Sequence, residues 1–319
     1  MIEVKNLTKR YGNHTAVSDL SFSIEKGQIY GFLGPNGAGK STTMNIMTGC
    51  LAATSGQVKI GGYDIFEQAN QAKRLIGYLP EQPPVYMDRT PREYLLFVGR
   101  AKKIPEKQLG KEIARVMQVT QIVDVADRLI KHLSKGYRQR VGIAQAILGD
   151  PQIIILDEPT VGLDPIQIIE IRDLIRQLGQ EHTVILSSHI LSEVQAVCNT
   201  IMIISKGKLV ACDTPEKLEQ QYTSTVTVEL IVETDKETLS HMLKSMDSVT
   251  EFTVQESTQN RCRATVLTAN GQEDALCRNI FNHCSRIGAP ILLMNVEKLT
   301  LEDIFIKLTG DENAKKEEM

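Results

Sequence analysis

Ten residues, GPNGAGKSTT (34–43), bring together three glycines, one lysine and a run of hydroxyl side chains. Gly34–Ser41 fits the pattern G-x-x-x-x-G-K-[ST]. Bare backbone at Gly34, Gly37 and Gly39, with Pro35, Asn36 and Ala38 between them, lets N–H groups turn inward around phosphate oxygens. Lys40 sets a positive charge beside the β- and γ-phosphates, and Ser41, followed by Thr42, offers a hydroxyl to Mg²⁺. A second constellation is the apolar run IIIL (153–156) followed by Asp157 and Glu158. A buried strand ending this way delivers Asp157 beside the phosphate loop, where it holds Mg²⁺ through water, and leaves Glu158 to orient and polarise an attacking water. A glycine-rich turn or an acidic strand end is ordinary by itself; the two in one chain point to a polyphosphate site.

These groups work only if strands aim them. IEVKNLTKRY (2–11) and LSFSIEKGQIYGFLG (20–34) alternate as short strands, and STTMNIMTG (41–49) reads as the helix after the glycine loop. GQVKIGGYDI (56–65) is another strand and turn. Residues 85–132 are helical in pattern, opening at Thr90-Pro91-Arg92-Glu93, which combines an N-cap, a proline at the first helical position and a capping-box glutamate. IIIL and TVILSSH (183–189) read as buried parallel strands, with a helix from Asp164-Pro165 to about Leu178 between them. Alternating strands and helices imply an α/β sheet.

Composition shifts near 215–222, PEKLEQQY, which reads as a boundary helix or linker. Beyond it the order is strand (TVTVELIV), helix (KETLSHMLKSM), strand (VTEFTVQES), a polar TQN turn, strand (RCRATVLTA), helix (EDALCRNIFNHCSRI) and strand (PILLMNVE). That β-α-β-β-α-β order predicts a small ferredoxin-like α+β domain over about 222–310, closed by the helix TLEDIFIKLTG, with a charged tail at 311–319.

A chain of 319 residues suits two domains. Net charge is -3 and the pI about 6.1, so no global basic footprint suggests nucleic acid. Six cysteines without C-x-x-C spacing argue against a zinc site or disulfide framework and for a reducing cytoplasm. The opening MIEVKNLTKRYG lacks a signal-peptide core, and no apolar run reaches the ~18 residues of a membrane span. A role at a membrane therefore needs a partner that spans it.

With LSKGYRQRVGIAQAIL (133–148) added to the glycine loop and IIILDEPTVGLD (153–164), the first 215 residues or so resemble the ATP-binding cassette (ABC) ATPases. The resemblance implies a P-loop cassette over 1–215: a mixed-sheet core with a helical subdomain at about 85–150. It implies that Ser134 and Gly136 reach the γ-phosphate of ATP held by an opposing subunit, and a hydroxyl and bare amide at a helix N-terminus do suit an anion. Lys135 and Tyr137 stand where the family has glycine and glutamine. Asp164, in Gly162-Leu163-Asp164, matches the D-loop of the subunit interface and is equally a good helix N-cap before Pro165. His189 matches the switch histidine at the γ-phosphate, and Tyr11 the aromatic that stacks on adenine. In IGYLPEQPPVY (76–86), Glu81 occupies the spacing of the family's metal- or water-binding glutamine, with Gln82 next to it, and the sequence leaves open which of the two serves.

GYLPE, LSKGYRQRV and the closing TLEDIFIKLTG resemble an exporter-type branch that includes gliding-motility-associated subunits. What this implies is an ATPase at the cytoplasmic face of a membrane, paired with itself or a second ATPase subunit, binding ATP and Mg²⁺. Dimer closure and reopening would drive a separate multispanning permease, with export as the direction. Rival readings are a soluble ABC ATPase on ribosomes or DNA, which one cassette without sustained heptads argues against, and a slow nucleotide switch, which Glu158 and His189 argue against.

Overall fold

The structure, a computed structural model, describes residues 1–257 and 261–310. Two compact units emerge, one built on Met1–Pro215 and one spanning Glu216–Lys307.

The first unit runs β1 (Ile2–Tyr11), β2 (His14–Ile24), β3 (Ile29–Leu33), α1 (Lys40–Met47), β4 (Ser55–Ile60), β5 (Tyr63–Asp64), α2 (Ala69–Arg74), β6 (Ile76–Leu79), α3 (Pro91–Ala101), α4 (Glu106–Val119), α5 (Lys135–Ile147), β7 (Ile153–Leu156), α6 (Pro165–Gly179), β8 (Thr183–Ser188), α7 (Leu191–Val197), β9 (Thr200–Ser205) and β10 (Lys208–Asp213). An antiparallel sheet of order β2-β1-β4-β5 stands beside a mainly parallel one of order β10-β9-β3-β8-β7-β6, the mixed core expected of the cassette. Parallel strands in the middle of a sheet are covered on both faces, so β3 and β7 are buried at every residue. Ile153 and Ile155 share one apolar cluster with Phe32, Met44, Ile185 and Met202. A buried branched side chain of this kind is worth roughly 1.5–3 kcal/mol, so truncating one to alanine would loosen the strands that carry the site.

The strand order matters for function. β8 lies between β3 and β7, with Leu33 paired to Ser188 and Leu156 to Leu186. Their carboxyl ends therefore open side by side, the usual location of ligand crevices in parallel sheets.

Helices α3, α4 and α5 pack on one another, and α5 also packs on β6 and β7. The Thr90 capping box forms in both directions: Glu93 N–H donates to Thr90 Oγ1 at 3.2 Å, and Thr90 N–H to Glu93 Oε2 at 3.0 Å. Lys102 donates to the carbonyls of Gln145, Ala146 and Leu148 at 2.8, 3.2 and 2.7 Å, closing the carboxyl end of α5. The helical stretch is not continuous to residue 132: two short 3₁₀ turns, Val123–Val125 and Ile130–His132, follow α4.

The second unit holds α8 (Pro215–Tyr222), β11 (Thr225–Val232), α9 (Lys236–Lys244), β12 (Glu251–Ser257), β13 (Arg261–Ala269), α10 (Glu273–Ile287), β14 (Ile291–Glu297) and α11 (Leu301–Thr309). Its sheet order is β12-β13-β11-β14, antiparallel throughout, as the β-α-β-β-α-β reading requires. The alternate residues Val228, Leu230 and Val232 of β11 bury against Leu239, Leu243, Leu276 and Ile280 of α9 and α10. The TQN turn and the charged tail lie outside the described residues.

Candidate functional site

The glycine loop leaves β3 and enters α1. Gly39 caps that helix at φ 103°, a left-handed backbone that a β-carbon would strain, and no side chain caps it. The first amides of α1 thus keep their hydrogen-bonding capacity for a ligand, and the helix dipole adds to their attraction for an anion. Lys40 is buried, with Nζ 2.8 Å from the Gly34 carbonyl and 3.4 Å from that of Pro35. The same ammonium lies 3.5 Å from Glu158 Oε1.

Asp157 and Glu158 follow β7. Asp157 is 2% exposed; its Oδ1 accepts from Ser187 Oγ at 2.6 Å and Ser41 Oγ at 3.2 Å. Burial raises its pKa above the usual carboxylate value; the serine hydroxyls and Lys40 act the other way, while the Glu158 charge adds to the rise. Glu158 adopts φ 48°, rare for a residue with a side chain, and its N–H donates to Ser187 Oγ at 2.9 Å. Its Oε2 meets His189 Nδ1 at 3.0 Å, at the end of β8. One carboxylate thus sits between Lys40 and His189.

Lys40, Glu158 and His189 face a cavity of about 540 Å³ lined also by Tyr11, Asn36, Gly37, Ala38, Gly39, Ser41, Thr42 and Glu81, together with His14, Ala16 and Val161; Asp157 and Ser187 are buried behind this lining. Glu81 borders it and Gln82 does not. Tyr11 is half exposed, and Lys9 Nζ stands 5.1 Å from its ring centroid.

Ser134, Gly136 and Asp164 lie outside this cavity. Ser134 caps α5, accepting from Tyr137 N–H at 3.3 Å, and Asp164 caps α6, accepting from Gln167 N–H at 2.9 Å. At Gly136 a β-carbon would come within 2.6 Å of Gln167 Oε1, so a larger residue there would have to displace that side chain. Lys135 lays its ammonium over Gly162, where a β-carbon would collide with it, and Tyr137 donates its hydroxyl to Asp124 at 2.7 Å. The two departures from the family pattern are thus accommodated by contacts of their own.

Sequence reasoning passed over Ser187, which bonds to both Asp157 and Glu158. The signal was present as two serines ending an otherwise apolar strand.

A phosphate cradle on a helix N-terminus, with a buried acid pair and a histidine at the ends of the two neighbouring strands, defines a P-loop nucleoside triphosphatase of cassette type. The family model described as ABC transporter matches residues 17–161. The linearmycin resistance ATP-binding protein LnrL of Bacillus subtilis is 31% identical over 97% of this chain and 98% of its own length. The bacitracin transport ATP-binding protein BcrA of Bacillus licheniformis is 34% identical over 97% of each. Among solved structures, the ATP-binding subunit of an ABC transporter superposes with a TM-score of 0.63 at 28% identity, over 70% of this chain and 93% of that one. A bacterial ABC transporter cassette solved as a dimer gives 0.62 at 25% identity, over 67% and 98%. The chain belongs to the ATP-binding subunits of ABC transporters. It is a transport-coupled ATPase, which binds ATP and hydrolyses it to ADP and phosphate. Among the described residues no helix is long and apolar enough to cross a membrane.

Proposed function

We propose that this ATPase drives export through a separate multispanning permease, at the cytoplasmic face of the membrane, with Glu158 as the general base. The observation that carries the catalytic part is the position of Glu158, 3.0 Å from His189 and 3.5 Å from Lys40 in a cavity bounded by the phosphate loop. Lys40 and the amides of Gly37–Ser41 hold the β- and γ-phosphates. Tyr11 stacks its ring on adenine. Glu158 takes a proton from the water that attacks the γ-phosphate, and His189 steadies that carboxylate and the departing phosphate. Ser41 and Asp157, a hydroxyl and a buried carboxylate already 3.2 Å apart, are hard oxygen donors of the kind Mg²⁺ takes. With Glu81 or Gln82 they would hold that ion, which when bound neutralises charge on the phosphates.

Two cassettes, identical or paired, close on two ATP molecules, each phosphate loop facing the partner's Ser134 and Gly136. That arrangement accounts for capped helix ends outside the chain's own cavity, and for a related cassette having been solved as a dimer. Relatives described by linearmycin resistance and bacitracin transport support export, and with it a substrate of the antimicrobial kind. The direct test is phosphate release by the native subunit and by Glu158→Gln, each with its permease in vesicles. Native turnover in the variant would remove Glu158 from the reaction, and turnover unaffected by the permease would break the transport assignment.

A further inference from the structure

Behind the Glu158–His189 pair lies a buried carboxylate that belongs to none of the motifs. Glu193, on α7, is 5% exposed. Its Oε2 accepts a short hydrogen bond from Thr160 Oγ1 and a second from Ser188 Oγ at 2.9 Å. Ser188 Oγ in turn accepts from the N–H of Ile190 at 3.0 Å. Thr160 lies on the loop that carries Glu158, and Ser188 and Ile190 flank His189 on the loop that carries it. One carboxylate oxygen therefore joins the two loops that bear the reacting groups.

Burying a carboxylate is expensive, and two hydroxyl donors recover only part of the cost; an apolar filler of similar volume is often the more stable choice. Among the described residues no cation pairs with Glu193. Its placement is therefore poorly explained by stability. What it does supply is geometry. A 3.0 Å contact between side chains on separate loops fails if either loop drifts by an ångström, and such misplacement costs catalysis steeply. Glu158 also holds φ 48°, a conformation that persists only where its surroundings over-determine it. Ser187 Oγ fixes the loop at the Glu158 N–H, and Glu193 fixes it again at Thr160. Neighbouring serines at the end of β8 thus hold the two loops from opposite sides.

We infer that Glu193 is a positioning residue for hydrolysis: its carboxylate clamps Thr160 to Ser188 and so sets the Glu158 loop against the His189 loop. This rests on the catalytic reading of Glu158 and His189 given above. The test is steady-state phosphate release over a range of ATP concentrations for Glu193→Ala, Glu193→Gln, Thr160→Val and Ser188→Ala, with Glu158→Gln as reference and thermal melts beside each. Glu193→Ala lowers kcat roughly 10- to 100-fold, the scale of a small misplacement, while KM for ATP stays within about twofold because the phosphate loop is untouched. Glu193→Gln recovers most of the loss, since an amide oxygen accepts the same two hydroxyls. Thr160→Val and Ser188→Ala each reproduce part of the fall, and combining Thr160→Val with Glu193→Ala adds little. Native kcat in folded Glu193→Ala, an equal loss in Glu193→Gln, or additive losses in the double variant overturns the inference. If Glu193→Ala does not fold, the two hydroxyl variants decide, and native kcat in both overturns it. An inactive Glu158→Gln beside a fully active Glu193→Ala sinks the positioning role alone; an active Glu158→Gln sinks the catalytic reading on which it rests.

Discussion

Glu158 and His189 meet at 3.0 Å although 31 residues separate them in sequence. They meet because β7 and β8 are parallel neighbours whose carboxyl ends deliver two loops to one point. The other carboxylate oxygen of Glu158 faces Lys40 at 3.5 Å, so the proposed general base and the proposed phosphate-binding cation form an ion pair. On that proposal a triphosphate would compete for the ammonium and free the carboxylate to face water.

Lys40→Ala follows from this competition. It removes a buried cation aimed at the β- and γ-phosphates and leaves Glu158 with His189 alone. A charge-assisted contact of this kind contributes about 1.5–3 kcal/mol, so ATP affinity falls roughly 10- to 100-fold. Calorimetric titration reads it directly. Unchanged affinity in the folded variant would mean that phosphate binds elsewhere.

Asp157 carries a burial penalty that its proposed role beside Mg²⁺ would explain. Its folded pKa lies above its unfolded value because of burial, so the folded state holds the proton more tightly. Stability from this group is therefore greatest below the unfolded pKa, and is lost as pH rises through the folded one. Asp157→Asn removes the penalty while an amide oxygen still accepts from Ser41 and Ser187. Nucleotide-free protein at neutral pH is then more stable, on the order of 0.5–2 kcal/mol, and Mg²⁺-dependent hydrolysis is lost. Thermal melts with and without Mg·ATP check both halves, and a lower melting temperature without nucleotide contradicts the first.

How far this site was legible depended on whether the information was local. The phosphate loop, Asp157-Glu158 and His189 stand beside runs such as IIIL and TVILSSH, whose uniform burial shows in composition. The four-residue β6 did not stand out, because Gly77 and Tyr78 interrupt its apolar pattern. Nor did the neighbours of β3, which are β8 and β9, more than 150 residues later in the chain. Ser187 reads as a solvated strand end until the strand order sets it beside Asp157. In the second unit the alternation of β11 and the amphipathic α9 and α10 carried enough local signal to specify the succession of strands and helices.

Glu81 borders the nucleotide cavity and Gln82 does not, which separates two residues the sequence left equivalent. Glu81→Gln consequently shifts the Mg²⁺ concentration needed for half-maximal hydrolysis, while Gln82→Ala leaves it within about twofold, since a charged oxygen binds a hard cation more tightly than an amide oxygen. A metal titration of phosphate release distinguishes them. The opposite pattern would transfer the role to Gln82.

In the proposed stacking Tyr11 would offer adenine the ring face that Lys9 does not cover. Tyr11→Ala weakens ATP by about 1–3 kcal/mol, by analogy with base–aromatic stacking, and Tyr11→Trp retains most of the affinity. Inorganic triphosphate, which has no base, binds both variants alike. Equal ATP affinities for the alanine and tryptophan variants would end the stacking assignment.

Ser134 and Gly136 lie outside the chain's own cavity, so their proposed partner is the nucleotide of a second cassette. Glu158→Gln isolates that step. The amide keeps the size of the carboxylate and one accepting oxygen but cannot take a proton, so turnover falls about 10²- to 10⁴-fold while ATP still binds. ATP then persists, and the closed pair of cassettes accumulates, seen by size-exclusion chromatography with light scattering as a doubling of mass with ATP but not with ADP. Ser134→Arg, placed at the cap of α5, fills the space where the partner's γ-phosphate must enter. Added to Glu158→Gln, it abolishes the dimer without weakening ATP binding to the chain's own phosphate loop. Loss of binding in the double variant would place Ser134 at the nucleotide of its own chain. Arrested turnover with no ATP-dependent pairing, even with the permease present, would leave a nucleotide switch as the better description.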